Sequence, residues 1–354
     1  MAKVLMKGNE AIAEAAVMAG CRYFFGYPIT PQNQIPEYLS KRLPEVGGVF
    51  LQAESEIASI NMVYGAAGAG ARVMTSSSSP GISLKQEGIS YIAGAELPAV
   101  IVNIMRGGPG LGSIQAAQGD YFQATKNGHG DYHLIVLAPH TVQEACDLVQ
   151  LAFDLADQYR CPTMILGDGM LGQMMEPVEL VRHERTGLPE KTWAAHGLRG
   201  ESRKPNIINS LYLEPKEMQV LAKRLKEKYA AIRENEIRYE AYHTEGAQYI
   251  LMAYGTVARI AKSATVLLEK EGIHVGVLRP VTLWPFPYEA VEKTAKQESV
   301  KAFLSVEMSA GQMVEDVRIG ANGIKPVYFH GHADCIEPTA QEIAQAIIQI
   351  EKGV

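Results

Sequence analysis

The stretch from Pro98 to Met105 reads PAVIVNIM and decides the class of fold. Its side chains are nearly all apolar, which is typical of a central strand buried on both faces of a parallel sheet. The stretch ends at Arg106, where a glycine-rich loop begins. A sheet of this kind is covered by helices on both faces, so we expect an α/β protein.

Short apolar strands alternate with amphipathic helices on both sides of this stretch, in the βαβ manner. We predict strands at 22–25, 49–52, 72–75, 98–105, 134–138 and 162–166, and helices at 9–19, 55–70 and 141–157. The serine run Ser76–Ser79, with Pro80 and Gly81 after it, is expected to form a loop.

The strand rhythm stops between Glu176 and Tyr242. A charged helix is predicted near Pro215–Tyr239, and its Lys, Arg and Glu residues are typical of a solvated face with one packed stripe, a partner-binding arm being the alternative. Strands are predicted again at 249–254, 275–278, 301–306 and 326–329, followed by a helix at 338–352. We therefore divide the chain into a first domain at 1–175, a linker and connecting helix at 176–245, and a smaller α/β domain at 246–354.

Composition narrows the classes of function. A chain of 354 residues with 47% hydrophobic content suits two globular domains rather than one core. The net charge of -6, without clusters of Lys and Arg, argues against a nucleic-acid partner. The first ten residues lack the features of a secretory signal, and no apolar run reaches the ~20 residues that cross a bilayer. We expect a cytoplasmic protein without a membrane partner.

The four cysteines, Cys21, Cys146, Cys161 and Cys335, are far apart and form no Cys-x-x-Cys pair. Neither a zinc site nor an iron–sulfur cluster is therefore encoded locally. Small buried thiols in a reducing cytoplasm are expected instead. Any electron transfer would have to pass through another subunit.

Polar residues directly after parallel strands have the strongest claim to a ligand site, because ligands bind beyond the carboxyl ends of such strands. The turn from Gly26 to Gln32 is the first candidate, since two prolines stiffen it around Thr30, which can present its hydroxyl to a ligand. The alternative is an ordinary strand-to-helix turn in which Thr30 or a neighbour caps the next helix.

Two further segments meet the same test. Glu54 and Glu56 follow a predicted strand and open a helix of small residues, although acidic residues in a first turn can also simply answer the helix dipole. Arg106 opens a glycine-rich loop that is not a nucleotide fingerprint, because Ser113 stands where the last glycine is required. Arg106 can clamp a carboxylate in bidentate fashion, with a surface ion pair as the alternative.

Motifs across nearly the whole chain resemble the α subunit of 2-oxoacid:ferredoxin oxidoreductases, and they occur in that family's order. They are Tyr27–Pro31 (YPITP), Glu54–Glu56 (ESE) with Tyr64–Ala66 (YGA), and Arg279–Pro287 (RPVTLWPFP). The start Lys7–Glu10 (KGNE) is most similar to the 2-oxoisovalerate type, to which the 2-oxoglutarate type is related. The resemblance implies a pyrimidine-binding domain of the thiamine-diphosphate fold, followed by a transketolase-C-terminal-like domain.

The resemblance also implies the reaction and the cofactors. The reaction is oxidative decarboxylation of a 2-oxoacid, a branched-chain one for the 2-oxoisovalerate type, with coenzyme A to acyl-CoA, carbon dioxide and reduced ferredoxin. Thiamine diphosphate would be shared with a β subunit that carries the diphosphate-binding domain and Mg²⁺. The iron–sulfur clusters would belong to partner subunits, and a γ subunit and an iron–sulfur δ subunit complete the expected assembly, which alone is active.

Site residues follow from the matching motifs. Glu56, chosen over Glu54 by its spacing to the Tyr64-Gly65 pair, would hydrogen-bond the aminopyrimidine ring and so support removal of the thiazolium C2 proton. Thr30 and Arg106 would hold the substrate carboxylate. The expected cofactor-binding residues are Tyr27, Pro28, Ile29 and Glu56, and we expect no metal ligand in this chain.

Gly167–Gly169 (GDG) matches the first half of the diphosphate–magnesium motif of thiamine enzymes, but the paired asparagine is missing. Asn206 and Asn209 are separated by two isoleucines, so Asp168 is predicted to make a turn after its strand. Other readings stay open: a 2-oxoglutarate-type α subunit, a lipoate-linked 2-oxoacid dehydrogenase component, or a non-catalytic scaffold subunit.

Overall fold

The structure is a computed structural model that describes residues 3–126, 128–183, 187–195, 197 and 204–353. The remaining parts of the predicted linker, residues 184–186, 196 and 198–203, lie outside the described residues, as do residues 1 and 2 of the N-terminal segment.

The strands form one large sheet, one five-stranded sheet and a two-stranded ribbon. They are β1 (Val4–Lys7), β2 (Tyr23–Gly26), β3 (Val49–Gln52), β4 (Val73–Ser77), β5 (Val100–Gly107), β6 (Ser113–Ala116), β7 (Ile135–Leu137), β8 (Thr163–Asp168), β9 (Met175–Val178), β10 (Tyr239–Tyr242), β11 (Tyr249–Met252), β12 (Val275–Pro280), β13 (Thr282–Trp284), β14 (Ala302–Glu307) and β15 (Val327–Gly331).

Helices separate most of the strands and cover the sheets. They are α1 (Gly8–Met18), α2 (Gln34–Glu45), α3 (Glu56–Gly68), α4 (Ser79–Gly94), α5 (Tyr121–Thr125), α6 (Val142–Tyr159), α7 (Gly169–Gln173), α8 (Pro215–Asn235), α9 (Gly255–Lys270), α10 (Tyr288–Ala295), α11 (Met313–Ala321) and α12 (Ala340–Lys352).

The large sheet confirms the predicted α/β class. Its strands lie in the order β13-β7-β8-β5-β4-β2-β3, and the six from β7 to β3 are parallel. All eight residues of β5 are buried, as expected for the strand in the middle, and β5 continues through Arg106 to Gly107. Burial on both faces requires the continuous apolar run that the sequence carries.

The second sheet has the order β10-β12-β11-β14-β15 and is parallel except for the antiparallel edge strand β10. Five short strands, β1, β6, β9, β10 and β13, lie outside the predicted strand positions. β10 lies in the region where no strand was predicted, and β13, within the RPVTLWPFP motif, leaves the second sheet and pairs antiparallel with β7 of the first. The chain therefore returns to its first sheet after entering the second.

The prediction of a loop at the serine run was wrong. β4 continues through Ser77, and α4 begins at Ser79, so Pro80 and Gly81 occupy its first turn. Proline is tolerated in a first turn because the N–H it lacks has no helical partner there. Close packing explains the glycine at position 81, because an ideal Cβ there would lie 2.8 Å from the Glu56 Oε1 atom.

The charged helix α8 confirms the prediction of a solvated helix with one packed stripe. Its buried residues are Leu221, Leu225, Tyr229 and Ile232, which repeat at helical spacing along one face. The helix ends at Asn235, earlier than predicted.

Side chains tie the two sheets together. Gln118 Nε2 donates to the Tyr254 carbonyl at 3.0 Å, and Gln118 Oε1 accepts from the Met308 amide at 3.2 Å. Tyr121 and Lys126 both reach the buried Asp316 of α11, at 2.6 and 3.0 Å. These hydrogen bonds hold the second sheet and α11 against the carboxyl-end loops of the first sheet.

In the part of the chain that the structure describes, no helix is both long and apolar enough to cross a membrane. Cys21, Cys146 and Cys161 are buried free thiols, and Cys335 is half-buried. Burial raises the pKa of the Cys21 thiol to about 12, so this group stays protonated at neutral pH.

Candidate active site

The candidate residues follow neighbouring parallel strands. β5, β4, β2 and β3 lie side by side in that order, so their carboxyl ends meet at one edge of the sheet. The YPITP turn follows β2, Glu56 follows β3, α4 begins just after β4, and Arg106 lies near the end of β5. The fold thus brings the three predicted segments to one edge.

Glu56 is the first residue of α3 and is only 7% exposed, whereas Glu54 is exposed. Ser55 caps the helix, because its hydroxyl accepts from the Ala58 amide at 3.2 Å and so fixes the backbone beside Glu56. Within the described residues, no hydrogen bond reaches the Glu56 carboxylate. A largely buried glutamate whose carboxylate has no partner in the described chain is a candidate for function rather than for helix capping.

Two buried hydroxyls lie where β4 ends and α4 begins, and that of Ser77 is close to Glu56. Ser77 Oγ and Ser78 Oγ have no hydrogen-bond partner among the described residues. A Cβ on Gly81 would clash with Ser77 Oγ and would also approach the Glu56 carboxylate, so both groups border the same point on α4. Unpaired buried hydroxyls next to an unpaired carboxyl group suit a polar ligand.

Arg106 contacts the YPITP turn directly. Its Nη1 donates to the Thr30 carbonyl at 3.0 Å, and its Nη2 donates to the Leu111 carbonyl at 3.0 Å. Arg106 is 9% exposed, and its Nε has no partner among the described residues. The structure therefore joins the two residues predicted to hold a carboxylate, although the guanidinium fork faces backbone carbonyls.

The YPITP turn is held mainly through its backbone. Gln32, which is completely buried, donates to the Tyr27 carbonyl at 3.3 Å and accepts from Ser76 Oγ at 2.5 Å. Pro28 is exposed, and Tyr27 and Ile29 are half-buried. The Thr30 hydroxyl accepts a long hydrogen bond of 3.4 Å from Asn33 Nδ2.

The sequence analysis missed an acidic residue at this edge. Asp120 Oδ2 accepts from Ser79 Oγ at 2.6 Å and from Asn103 Nδ2 at 3.0 Å. Ser79 Oγ also lies 3.1 Å from the Arg106 amide, which donates to it. Burial raises the pKa of Asp120, against the effect of these hydrogen bonds. Asn103, a polar residue inside the buried strand β5, was the sequence feature that could have indicated a polar partner here.

Asp168 is used internally. Its carboxylate caps α7 by accepting from the Leu171 amide at 2.9 Å, and it also accepts from Thr256 Oγ1 at the start of α9. Burial raises the pKa of Asp168. The predicted turn after the strand is not observed, because Asp168 is the last residue of β8 and the N-cap of α7, which begins at Gly169. Its oxygens are engaged within the chain.

Arg279, the first residue of the RPVTLWPFP motif, binds two carboxylates. Its Nη2 lies 2.8 Å from Glu144 Oε1 and its Nε lies 2.9 Å from Glu240 Oε2. Burial opposes ionisation of Glu144, but hydrogen bonds from His140 and Arg279 bring its pKa down to about 2. Arg279 therefore joins β12 to α6 and β10, which is a structural role.

Comparison with known proteins assigns the family. Residues 14–246 match the family described as "Pyruvate flavodoxin/ferredoxin oxidoreductase, thiamine diP-bdg", and residues 247–343 match "Pyruvate:ferredoxin oxidoreductase core domain II". The chain is 53% identical to the ketoisovalerate oxidoreductase subunit VorB of Methanothermobacter marburgensis, over 92% of each chain. It is 40% identical to the 2-oxoglutarate synthase subunit KorA of Archaeoglobus fulgidus, over 92% of this chain and 94% of the relative.

Solved structures agree with the fold. The 2-oxoglutarate:ferredoxin oxidoreductase from Magnetococcus marinus superposes with a TM-score of 0.87 at 26% identity, and the match covers 98% of this chain and 65% of that one. A split-gene transketolase superposes with a TM-score of 0.62 at 16% identity, which concerns the fold alone. The chain belongs to the 2-oxoacid:ferredoxin oxidoreductase family, as a subunit with a thiamine-diphosphate-binding domain followed by a transketolase-C-terminal-like domain.

The residues at the sheet edge fit the cofactor of this family. Among the described residues, the largely buried Glu56 has a carboxylate without an internal hydrogen bond, and Ser77 and Ser78 have buried hydroxyls without a partner. The described residues contain no group of three or more His, Cys, Asp or Glu side chains suited to a metal ion.

Proposed function

We propose that this chain is the α subunit of an oxidoreductase that converts 2-oxoisovalerate and related branched-chain 2-oxoacids. With coenzyme A, the assembled enzyme would form acyl-CoA, carbon dioxide and reduced ferredoxin. The observation that carries the choice of substrate is the higher identity to ketoisovalerate relatives than to 2-oxoglutarate or pyruvate synthase relatives. In this proposal residues 1–175 are the pyrimidine-binding domain, 176–245 the linker and 246–354 the second domain.

Glu56 is the catalytic residue of the proposal. Thiamine diphosphate, when bound, supplies the carbon nucleophile and the electron sink. The Glu56 carboxylate would share a proton with the aminopyrimidine ring through a hydrogen bond, and its burial supports this role because exchange with water is suppressed. Glu54 is exposed and hydrogen-bonded to Ser55 Oγ at 3.4 Å, which suits a tuning role.

Arg106 and Thr30 orient the substrate carboxylate. The two carbonyls that accept from Arg106 fix the plane of its guanidinium, while its Nε remains a buried donor without a partner in the described structure. The Thr30 hydroxyl has one weak hydrogen bond, so it can turn toward a ligand. Tyr27, Pro28 and Ile29, on the same turn, would contact the cofactor.

The partner subunit packs on α3. The outward face of this helix presents Ile57, which is 52% exposed, then Asn61 and Gly65, and a Cβ at Gly65 would meet no atom within 4 Å. Small residues let another backbone approach closely and cover Glu56. This surface suits the β subunit that carries the diphosphate-binding domain.

The remaining cofactors lie in the partners. Asp168 is engaged by Leu171 and Thr256, which supports a Mg²⁺ site on the β subunit. The separated, mostly buried cysteines support iron–sulfur clusters on the δ subunit or another partner. A γ subunit and ferredoxin complete the cytoplasmic assembly.

A substrate panel on the reconstituted enzyme tests this proposal. Viologen reduction with coenzyme A is measured for 2-oxoisovalerate, 2-oxoglutarate and pyruvate, and a lipoamide acceptor serves as the control for the dehydrogenase reading. We expect kcat/KM for 2-oxoisovalerate to exceed that for pyruvate by about 10-fold or more, the scale of apolar pocket discrimination. Preference for 2-oxoglutarate would contradict the proposed substrate. Transfer to lipoamide without viologen reduction would contradict the proposed class of enzyme.

A further inference from the structure

Lys85 of α4 is completely buried. Its Nζ donates to Thr75 Oγ1 of β4 at 2.9 Å and to Ser59 Oγ of α3. Among the described residues, no carboxylate lies within ion-pair distance of it. A lysine is almost never fully buried unless it is paired, so two hydroxyls alone are an unusual environment for this ammonium group.

Lys85 lies on the face of α4 that contacts α3 most closely. Gly81, Lys85 and Gly88 share this face at helical spacing. A Cβ at Gly81 would lie 2.8 Å from Glu56 Oε1, and a Cβ at Gly88 would lie 2.5 Å from the Ile60 side chain. The two glycines bring the helices together, and Lys85 is enclosed between them beside the first turn of α3.

Two observations link Lys85 to Glu56. Ser59 Oγ, which accepts from Lys85, donates to the Glu56 carbonyl at 2.9 Å. Burial lowers the pKa of Lys85 to about 7, and the negative charge of Glu56 acts in the opposite direction. Titratable groups on the neighbouring elements are Glu56 and Tyr64 on α3, Glu87 and Tyr91 on α4, and Arg106 on β5, and among them Glu56 is the charge that affects the pKa of Lys85.

We infer that Lys85 is a positioning residue for Glu56: its buried ammonium group places a positive charge beside the first turn of α3 and stabilises the negative charge of the Glu56 carboxylate. Electrostatic coupling is reciprocal: a carboxylate that favours protonated Lys85 is itself favoured, by the same free energy, in its ionised form. The inference deepens the proposed function and rests on it for the role of Glu56. The charge pairing itself can be tested without cofactor or substrate.

The pH dependence of unfolding of the full chain tests the pairing. The pKa of Lys85 is about 7 in the folded chain and is expected near 10.5 when unfolded, so between these values the unfolded chain binds more protons. The contribution of Lys85 to stability should therefore rise as the pH increases above about 7, and the difference between wild type and a Lys85 variant measures it. Lys85→Met keeps the length of the side chain and should remove this rise.

The decisive variant is Glu56→Gln. Loss of the carboxylate should move the onset of the rise down by about one pH unit, the scale of a nearby opposite charge. Glu54→Gln, the exposed neighbour, should leave the onset unchanged. An onset that does not move in Glu56→Gln would overturn the inference, and this comparison remains valid if Lys85→Met fails to fold.

The assembled enzyme supplies the second readout. Lys85→Met should move the pH–rate profile, because the positive charge beside Glu56 is then lost. A lower rate with an unmoved profile would indicate a purely structural role and would contradict the inference. If Glu56→Gln shifts the pH dependence of unfolding but the assembled variant is fully active, the charge pairing is supported and the proposed catalytic role of Glu56 is contradicted.

Discussion

Arg106 donates through Nη1 to the backbone carbonyl of Thr30 at 3.0 Å, which joins the end of β5 to the turn after β2. The two residues assigned to the substrate carboxylate are therefore linked by a hydrogen bond. Replacement of Arg106 removes its donors and also the hydrogen bond that holds the Thr30 carbonyl. Replacement of the Thr30 side chain leaves the accepting carbonyl in place.

Thr30→Val and Arg106→Lys should each raise the KM for the 2-oxoacid. The loss of one hydrogen bond to a charged group, ~1.5–3 kcal/mol, corresponds to roughly 10- to 150-fold. The double variant should show less than the sum of the two effects, because the residues share a contact. Steady-state kinetics with a parallel measurement of thiamine diphosphate affinity checks this, and weakened cofactor binding at an unchanged KM would refute the assignment.

Glu307 should be a main source of stability in the second sheet. It is completely buried, and it accepts from Ser305 and Ser309 and from three backbone N–H groups at the start of α11, at 2.9–3.0 Å. Glu307→Gln places an amide donor against these donors and should cost about 3 kcal/mol or more. Thermal unfolding measures the loss, and exposed Glu315→Gln on the same helix should change little.

His133 should make the chain sensitive to acid. Its ring stacks on Trp284 at 4.3 Å, and burial, together with the charges of Arg233 and Lys126, lowers its pKa to about 4. Between this value and the unfolded value of 6.5, the unfolded chain binds more protons, so stability falls as the pH drops. His133→Phe should weaken this fall in a Tm–pH series, whereas the same fall in both proteins would argue against it.

The purified chain should be colourless. Its three buried cysteines and half-buried Cys335 are held as separate free thiols. An iron–sulfur cluster requires thiolates that converge on one point. Iron and sulfide analysis of the isolated chain checks this, and stoichiometric amounts of both would count decisively against the assignment of clusters to partners.

The predicted elements that matched best carry their information locally. Val49–Gln52 is a strand with the predicted bounds, and Thr141 caps α6, because short apolar runs and capping residues are local signals. The loop prediction for the serine run was wrong because the conformation of this run depends on the packing of α4 against Glu56. β10 and β13 are short edge strands whose pairing is a tertiary event.

The candidate site was predictable in part. The motifs that resemble the family selected Thr30, Glu56 and Arg106, and the parallel topology explains why they meet at one edge. Asp120 and Lys85 could not be identified in the same way. A buried acid and a buried lysine look like surface residues in sequence, and only the packing of α4 reveals their environment.

Glu56→Gln is the most direct test of the central assignment. Exchange of the C2 proton of thiamine diphosphate, measured in the assembled complex, isolates cofactor activation from later electron transfer. We expect Glu56→Gln to slow this exchange by ~10²–10⁴-fold, the usual contribution of a general acid–base group. Glu54→Gln should have a much smaller effect. Exchange at the wild-type rate in Glu56→Gln would contradict the account, and arrested exchange in Glu54→Gln would assign the role to the other carboxylate.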